Sequence, residues 1–248
     1  MASAALLVTL NGASASAATQ PSDEAISAAL RHVGDGTYTQ ADLNLIKSVP
    51  GLAARVVDPT KPEEVTIKEA VVTPGVKGGV SAINGSSLSS KDMLDVMPPA
   101  GALPSTAPVW TPEETEADGS GSASASAVAA TGDKWRMTHI THTHRSLTGA
   151  IIFRYHTYAE FRYGGGKVRE WGERYDDFSD YDPVVSVNVD SKREVDTKSR
   201  VPASSGSSMM KRKAELCVAK YGCYATLHPW AKVKVYGTGK TAIAGSGV

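Results

Sequence analysis

Fourteen of the sixteen aromatic residues in this chain of 248 lie after Lys134, and only Tyr38 and Trp110 precede it. Phe, Tyr and Trp carry the largest apolar surfaces of any side chains. A sizeable packed core is therefore expected from residues 134–248, leaving residues 1–133 as leader, small helical unit and linker. Charge divides in the same way. Residues 1–133 hold 7 Lys/Arg against 15 Asp/Glu and residues 134–248 hold 19 against 11, so a net charge of zero is the sum of −8 and +8. A basic C-terminal module points to polyanionic partners, or to the acidic first half as its own intramolecular partner.

Residues 1–17 read as a secretory leader, with the apolar run Ala4–Leu10 and an A-x-A pattern at Ala15 and Ala17, although no Lys or Arg precedes the apolar run. No other stretch approaches the ~20 apolar residues that span a bilayer. A secreted, extracellular location is expected, with no transmembrane segment. Such a compartment favours a disulfide between Cys217 and Cys223. Closing so short a loop contributes roughly 2 kcal/mol.

Within residues 18–60, Ser22 followed by Asp23 and Glu24 is an N-cap signal, and Ile26, Ala29, Leu30 and Val33 recur at helical spacing. Thr39 with Asp42 resembles a capping box for a second helix carrying Leu43, Leu45 and Ile46. A third short helical stretch is expected over Leu52–Val57. Residues 61–133 read as a disordered linker, since from Val71 onward the apolar pattern gives way to Gly, Pro, Ser and Ala.

Beyond Lys134 the period changes to two. Ile151, Phe153, Tyr155, Thr157, Ala159, Phe161 and Tyr163 alternate with polar residues, and Gly164-Gly-Gly166 turns the chain toward Lys167–Tyr175. Val185–Asp190, Met210–Val218 and Trp230–Tyr236 give further strands, with Arg212 an exception on an apolar face that suggests an edge. The expected fold is mainly β, an antiparallel β-sandwich over 134–248 preceded by a small α-helical unit and a linker.

No nucleophile elbow, P-loop, dinucleotide fingerprint or zinc-protease helix is present. His139, His142 and His144 crowd one strand, where His142 and His144 share a face and His139 takes the other. With His156 from the next strand, His142 and His144 form a candidate metal set, zinc or copper being the usual occupants of imidazole sites; an exposed His/Thr strand without metal is the alternative. Asp176, Asp177, Asp180 and Asp182 cluster in an expected loop whose spacing is not that of a helical calcium loop. Trp230, Lys232, Lys234 and Tyr236 share one face of the last clear strand, and Arg154 and Arg162 occupy the polar side of an earlier one. Aromatic stacking combined with cations suits an anionic cell-envelope polymer or glycan, with nucleic acid the weaker alternative.

The Ala/Ser leader, the stretch Thr39-Gln-Ala-Asp-Leu-Asn-Leu-Ile-Lys47, the linker, Tyr221-Gly-Cys223 and Pro229-Trp-Ala-Lys-Val-Lys-Val-Tyr-Gly237 together resemble uncharacterised exported proteins of high-GC Gram-positive, actinobacterial bacteria. The resemblance implies secretion and transfers no site. The expected function is that of a secreted binding protein. Two alternatives are a metal-dependent enzyme on the His142/His144 strand and a proprotein masked by its acidic N-terminal half.

Overall fold

A computed structural model describes residues 21–72, 80–83, 86–87, 103–104, 132–180 and 185–248. The leader and most of the expected linker lie outside the described residues, as does Asp182. Two short helices precede the β-rich region. The first, α1 (Asp23–Gly34), is capped by Ser22, whose hydroxyl accepts from the Ala25 amide at 3.2 Å. The second, α2 (Gln40–Ser48), opens with both halves of the Thr39/Asp42 capping box. Residues 50–56 form turns and a bend instead of a third helix, although Leu52, Ala53 and Val56 are buried. Gly51, at φ 75°, turns the chain out of α2, and the segment beyond it holds hydrogen-bonded turns such as the Arg55 amide donating to the Leu52 carbonyl at 2.9 Å.

The strands are β1 (Glu64–Val72), β2 (Val80–Ile83), β3 (Ser86–Ser87), β4 (Leu103–Pro104), β5 (Lys134–Arg145), β6 (Ile151–Gly164) and β7 (Lys167–Ser179), followed by β8 (Val185–Lys198), β9 (Ser205–Val218), β10 (Gly222–Leu227), β11 (Trp230–Tyr236) and β12 (Thr241–Gly247). All pairings are antiparallel. One sheet runs β3-β2-β1-β5-β6-β7-β4. In the other, β9 pairs β8 on one side and β10 and β11 on the other, with β12 beyond β11. The sheets face each other: Ile140, Ala159, Phe161 and Trp171 from the first pack with Ala231, Val233 and Val235 from the second. This is a sandwich with side chains of both inner faces packed between the sheets.

Two expectations change here. Residues 64–72 are not linker but a full-length strand, paired from Glu64↔Thr143 to Val72↔Trp135. Its alternation of Val65 and Ile67 with Thr66 and Lys68 is short and flanked by Glu63, Glu64 and Glu69, so it reads as solvated although Val65 and Ile67 pack on the core. Arg212 is not at an edge, because β9 has partners on both sides.

Arg212 belongs instead to an ionic network between the sheets. Arg193 binds Asp176 at 2.6 Å, Arg212 stands 3.6 Å from the same carboxylate, and Tyr155 donates to it at 3.0 Å. Arg174 binds Asp196 at 2.7 Å and donates to the Ser208 hydroxyl at 2.9 Å. Arg174 is 2 % exposed and Asp176 1 %, and along β7 they separate Trp171 in one apolar cluster from Phe178 in the other.

That second cluster joins the helical unit to one end of the sandwich. Ile26, Leu30, Val33, Leu43 and Ile46 pack with Ile152, Phe153, Leu216, Val218 and Tyr224. The Tyr224 hydroxyl accepts from the Val57 amide at 3.0 Å. Cys217 and Cys223 face each other across the β9–β10 hairpin and are joined by a disulfide. Beside it, Lys220 forms an ion pair with Asp23 of α1 at 2.6 Å.

Candidate functional site

The outer face of the first sheet carries a groove of about 490 Å³, and strand register dictates its lining. Three rungs cross four strands: Lys68–His139–Tyr158–Tyr175, Thr66–Thr141–His156–Asp177 and Glu64–Thr143–Arg154–Ser179. At about 4.8 Å between strands and 6–7 Å between rungs, these rows cover roughly 14 by 13 Å. His139, Thr143, His156 and Tyr158 are each less than a tenth exposed and form the floor, whereas Glu64, Thr66, Lys68 and Asp180 stand exposed at the rim.

A hydrogen-bond chain runs diagonally over three strands. The Ser179 hydroxyl on β7 lies 2.7 Å from His156 Nε2 on β6, and His156 Nδ1 lies 2.8 Å from His139 Nε2 on β5. The Thr141 hydroxyl sits 3.1 Å from His139 Nε2 and 3.2 Å from His156 Nδ1. Tyr158 stacks on the His139 ring at 4.3 Å and fixes its plane. Ser179 also lies 3.2 Å from Asp180 Oδ2, a carboxylate paired with Arg154. Asp180 itself has φ 53°, a left-handed conformation that Asp tolerates better than most residues. At the far rim Arg145 binds Glu64 at 2.9 Å.

Burial dominates the electrostatics. Desolvation, with a smaller contribution from Arg154, lowers the His156 pKa to about 4, so its imidazole is neutral at physiological pH. Burial raises the Asp177 pKa, opposed by the Phe178 amide and reinforced by Asp176.

The structure separates the expected metal set. His142 and His144 face inward, 0 % and 3 % exposed, with ring centroids 4.8 Å apart and His144 stacked on Phe153. His156 is on the opposite face of the same sheet and meets His139, because register pairs it with Thr141. Among the described residues no group of three His, Cys, Asp or Glu is placed to hold a metal ion. Both nitrogens of His142 and Nε2 of His144 lack a hydrogen-bond partner. Burial lowers the pKa of His142 and brings that of His144 to about 3, which keeps both rings neutral.

The acidic cluster is also divided. Asp176 points into the ionic network, Asp177 lines the groove and Asp180 stands at its rim; the first two lie in β7 and not in a loop. Arg154 enters the groove, whereas Arg162 pairs with Glu170 at 3.0 Å and Asp133 at 3.5 Å and lies over Trp135. Trp230, Lys232, Lys234 and Tyr236 lie on the outer face of the other sheet, since β11 turns Ala231, Val233 and Val235 inward. Trp230 lies across Gly245 and Gly247, where a β-carbon would meet its indole, and Lys234 sits over the Tyr236 ring at 5.8 Å. The aromatic and arginine groups thus occupy opposite faces of the sandwich. The sequence pattern does not mark Ser179, His139, Thr141 and Tyr158 as one site. A β5–β6 register would have brought the two histidines together, but the bulge between His144 and Arg145 decides it and leaves no sequence mark.

No protein-family model, curated protein or solved structure matches the chain.

Proposed function

We propose that the protein is a secreted binding protein whose ligand, a hydroxyl-rich glycan of the cell envelope, lies in the groove on the outer face of the first sheet. The observation that carries this reading is the lining itself: hydroxyls of Thr66, Thr141, Thr143 and Ser179, two imidazoles, and arginine–carboxylate pairs at both ends. Such groups exchange hydrogen bonds with sugar hydroxyls in either direction. The volume falls in the range of small-molecule clefts, ~300–1,000 Å³. Because each groove arginine already faces a carboxylate, attraction to a polyanion is offset within the site, and the arginines serve as hydrogen-bond donors to ligand hydroxyls. The leader-like N-terminus and the disulfide support export.

Binding of purified envelope glycan fragments, followed by titration calorimetry, tests this. Arg154→Ala and Thr141→Ala should each weaken binding at least tenfold, with little dependence on salt, while Trp230→Ala and Lys234→Ala leave it unchanged. The reverse pattern would move the site to the outer face of the second sheet.

A further inference from the structure

We propose that the groove hydrolyses carboxylic esters, with Ser179 as nucleophile, His156 as general base and His139 as the residue that positions the base. The inference deepens the glycan reading and rests on it for its substrate class, O-acyl groups carried on a hydroxyl-rich polymer. The geometry is that of an activated nucleophile: hydroxyl to base 2.7 Å, base to orienting group 2.8 Å, all lining one open cleft.

Proton positions follow from the chain. When the Ser179 hydroxyl donates to His156 Nε2, the proton of His156 resides on Nδ1 and is donated to His139 Nε2. His139 is then protonated at Nδ1, and its ring is held by Tyr158 stacked on one face. The Asp180 carboxylate competes for the serine proton from 3.2 Å, but it is already engaged by Arg154, and the imidazole is the nearer acceptor. Desolvation keeps His156 neutral above about pH 4, so its acceptor nitrogen is available in neutral solution. Arg154 is the residue directly opposite Ser179 in the β6–β7 ladder, and its ion pair with Asp180 holds that carboxylate away from the base.

In the reaction, Ser179 Oγ forms a bond to the acyl carbon as the carbonyl electron pair moves onto oxygen, and the hydroxyl proton passes to His156 Nε2. Collapse breaks the bond to the leaving alkoxide, which takes that proton and departs as an alcohol. Water then attacks the acyl-serine, giving its proton to Nε2. The second collapse returns a proton to Ser179 and releases the carboxylic acid. The sum is ester plus water to alcohol plus acid.

The test uses the full chain with p-nitrophenyl acetate and a fluorophosphonate probe, the modified residue being located by peptide mass spectrometry. One adduct per chain at Ser179 is expected. Ester turnover should fall at least 100-fold in Ser179→Ala and His156→Gln. His139→Asn should lower kcat about tenfold or more at unchanged KM and displace the acid limb of the pH profile, which loss of a merely structural contact would not do. An adduct elsewhere, or turnover undiminished in Ser179→Ala with native near-ultraviolet circular dichroism, overturns the proposal. Glycan binding retained by a wild-type protein that Ser179 chemistry does not label would remove the esterase alone. Labelling at Ser179 without glycan binding would remove the binding reading while leaving the nucleophile.

Discussion

Single buried side chains set the stability of this sandwich as much as its apolar rows do. Asp176 accepts from Tyr155 and neutralises Arg193 and Arg212 in the interior. Asp176→Ala would leave the buried Arg212 without its carboxylate and Arg193 with Asp196 alone, at 3.1 Å, and chemical denaturation should show a loss of about 3–5 kcal/mol. Tyr155→Phe removes only one hydrogen bond to the same carboxylate and should cost about 1 kcal/mol. The buried histidines act through pH. His144 and His156 have pKa values near 3 and 4 in the folded protein, below the ordinary histidine value of 6.5. The unfolded chain therefore binds more protons between about pH 6.5 and 3, and stability is full above pH 6.5 and falls as pH drops through that window. Depressions of this size correspond to roughly 3–5 kcal/mol per group. Urea midpoints should be flat from pH 8 to 7 and decline from 6.5 to 5, with a shallower decline in His144→Phe; an equal slope in that variant would contradict the assignment.

Between the elements, the helical unit is held by shape as well as apolar area. Gly34 ends α1 against the backbone of Tyr224 in β10, so any β-carbon there meets the Tyr224 carbonyl oxygen. Gly34→Ala should force the helix off the hairpin and cost about 2–3 kcal/mol, read as a lowered thermal midpoint. A neutral outcome would mean that α1 moves freely on the sheet. Both helices were legible in the sequence because caps and apolar period are local signals, and Ser22, Thr39 and Asp42 perform the expected roles. The alternating strands β6 and β11 were legible for the same reason. What could not be read was pairing. That β1 adds to β5, that β9 is central, and that His156 meets His139 instead of His142 all depend on register and on bulges near Arg145 and Tyr163. A one-residue slip exchanges the faces of a strand. The site lay within this ambiguity, since Ser179, His156 and His139 come from three different strands.

Taken as a whole, the molecule is a two-sheet sandwich, closed at one end by helices, with chemically different outer faces. The first carries a histidine- and hydroxyl-lined groove; the second carries the Trp230–Tyr236 strand. Among the described residues no helix is long and apolar enough to cross a membrane. The choice between the two faces can be made in one titration, because the six histidines divide by position: His139 and His156 in the groove, His142 and His144 in the interior, His32 beside Asp42 and His228 beside Glu194 away from both. Imidazole resonances of the labelled protein, recorded with the indole N–H of Trp230 during addition of purified envelope glycan, report every region at once. Saturable shifts confined to His139 and His156, with Trp230 and His142 unmoved, are the predicted result; shifts at Trp230 with the groove histidines unchanged would contradict it.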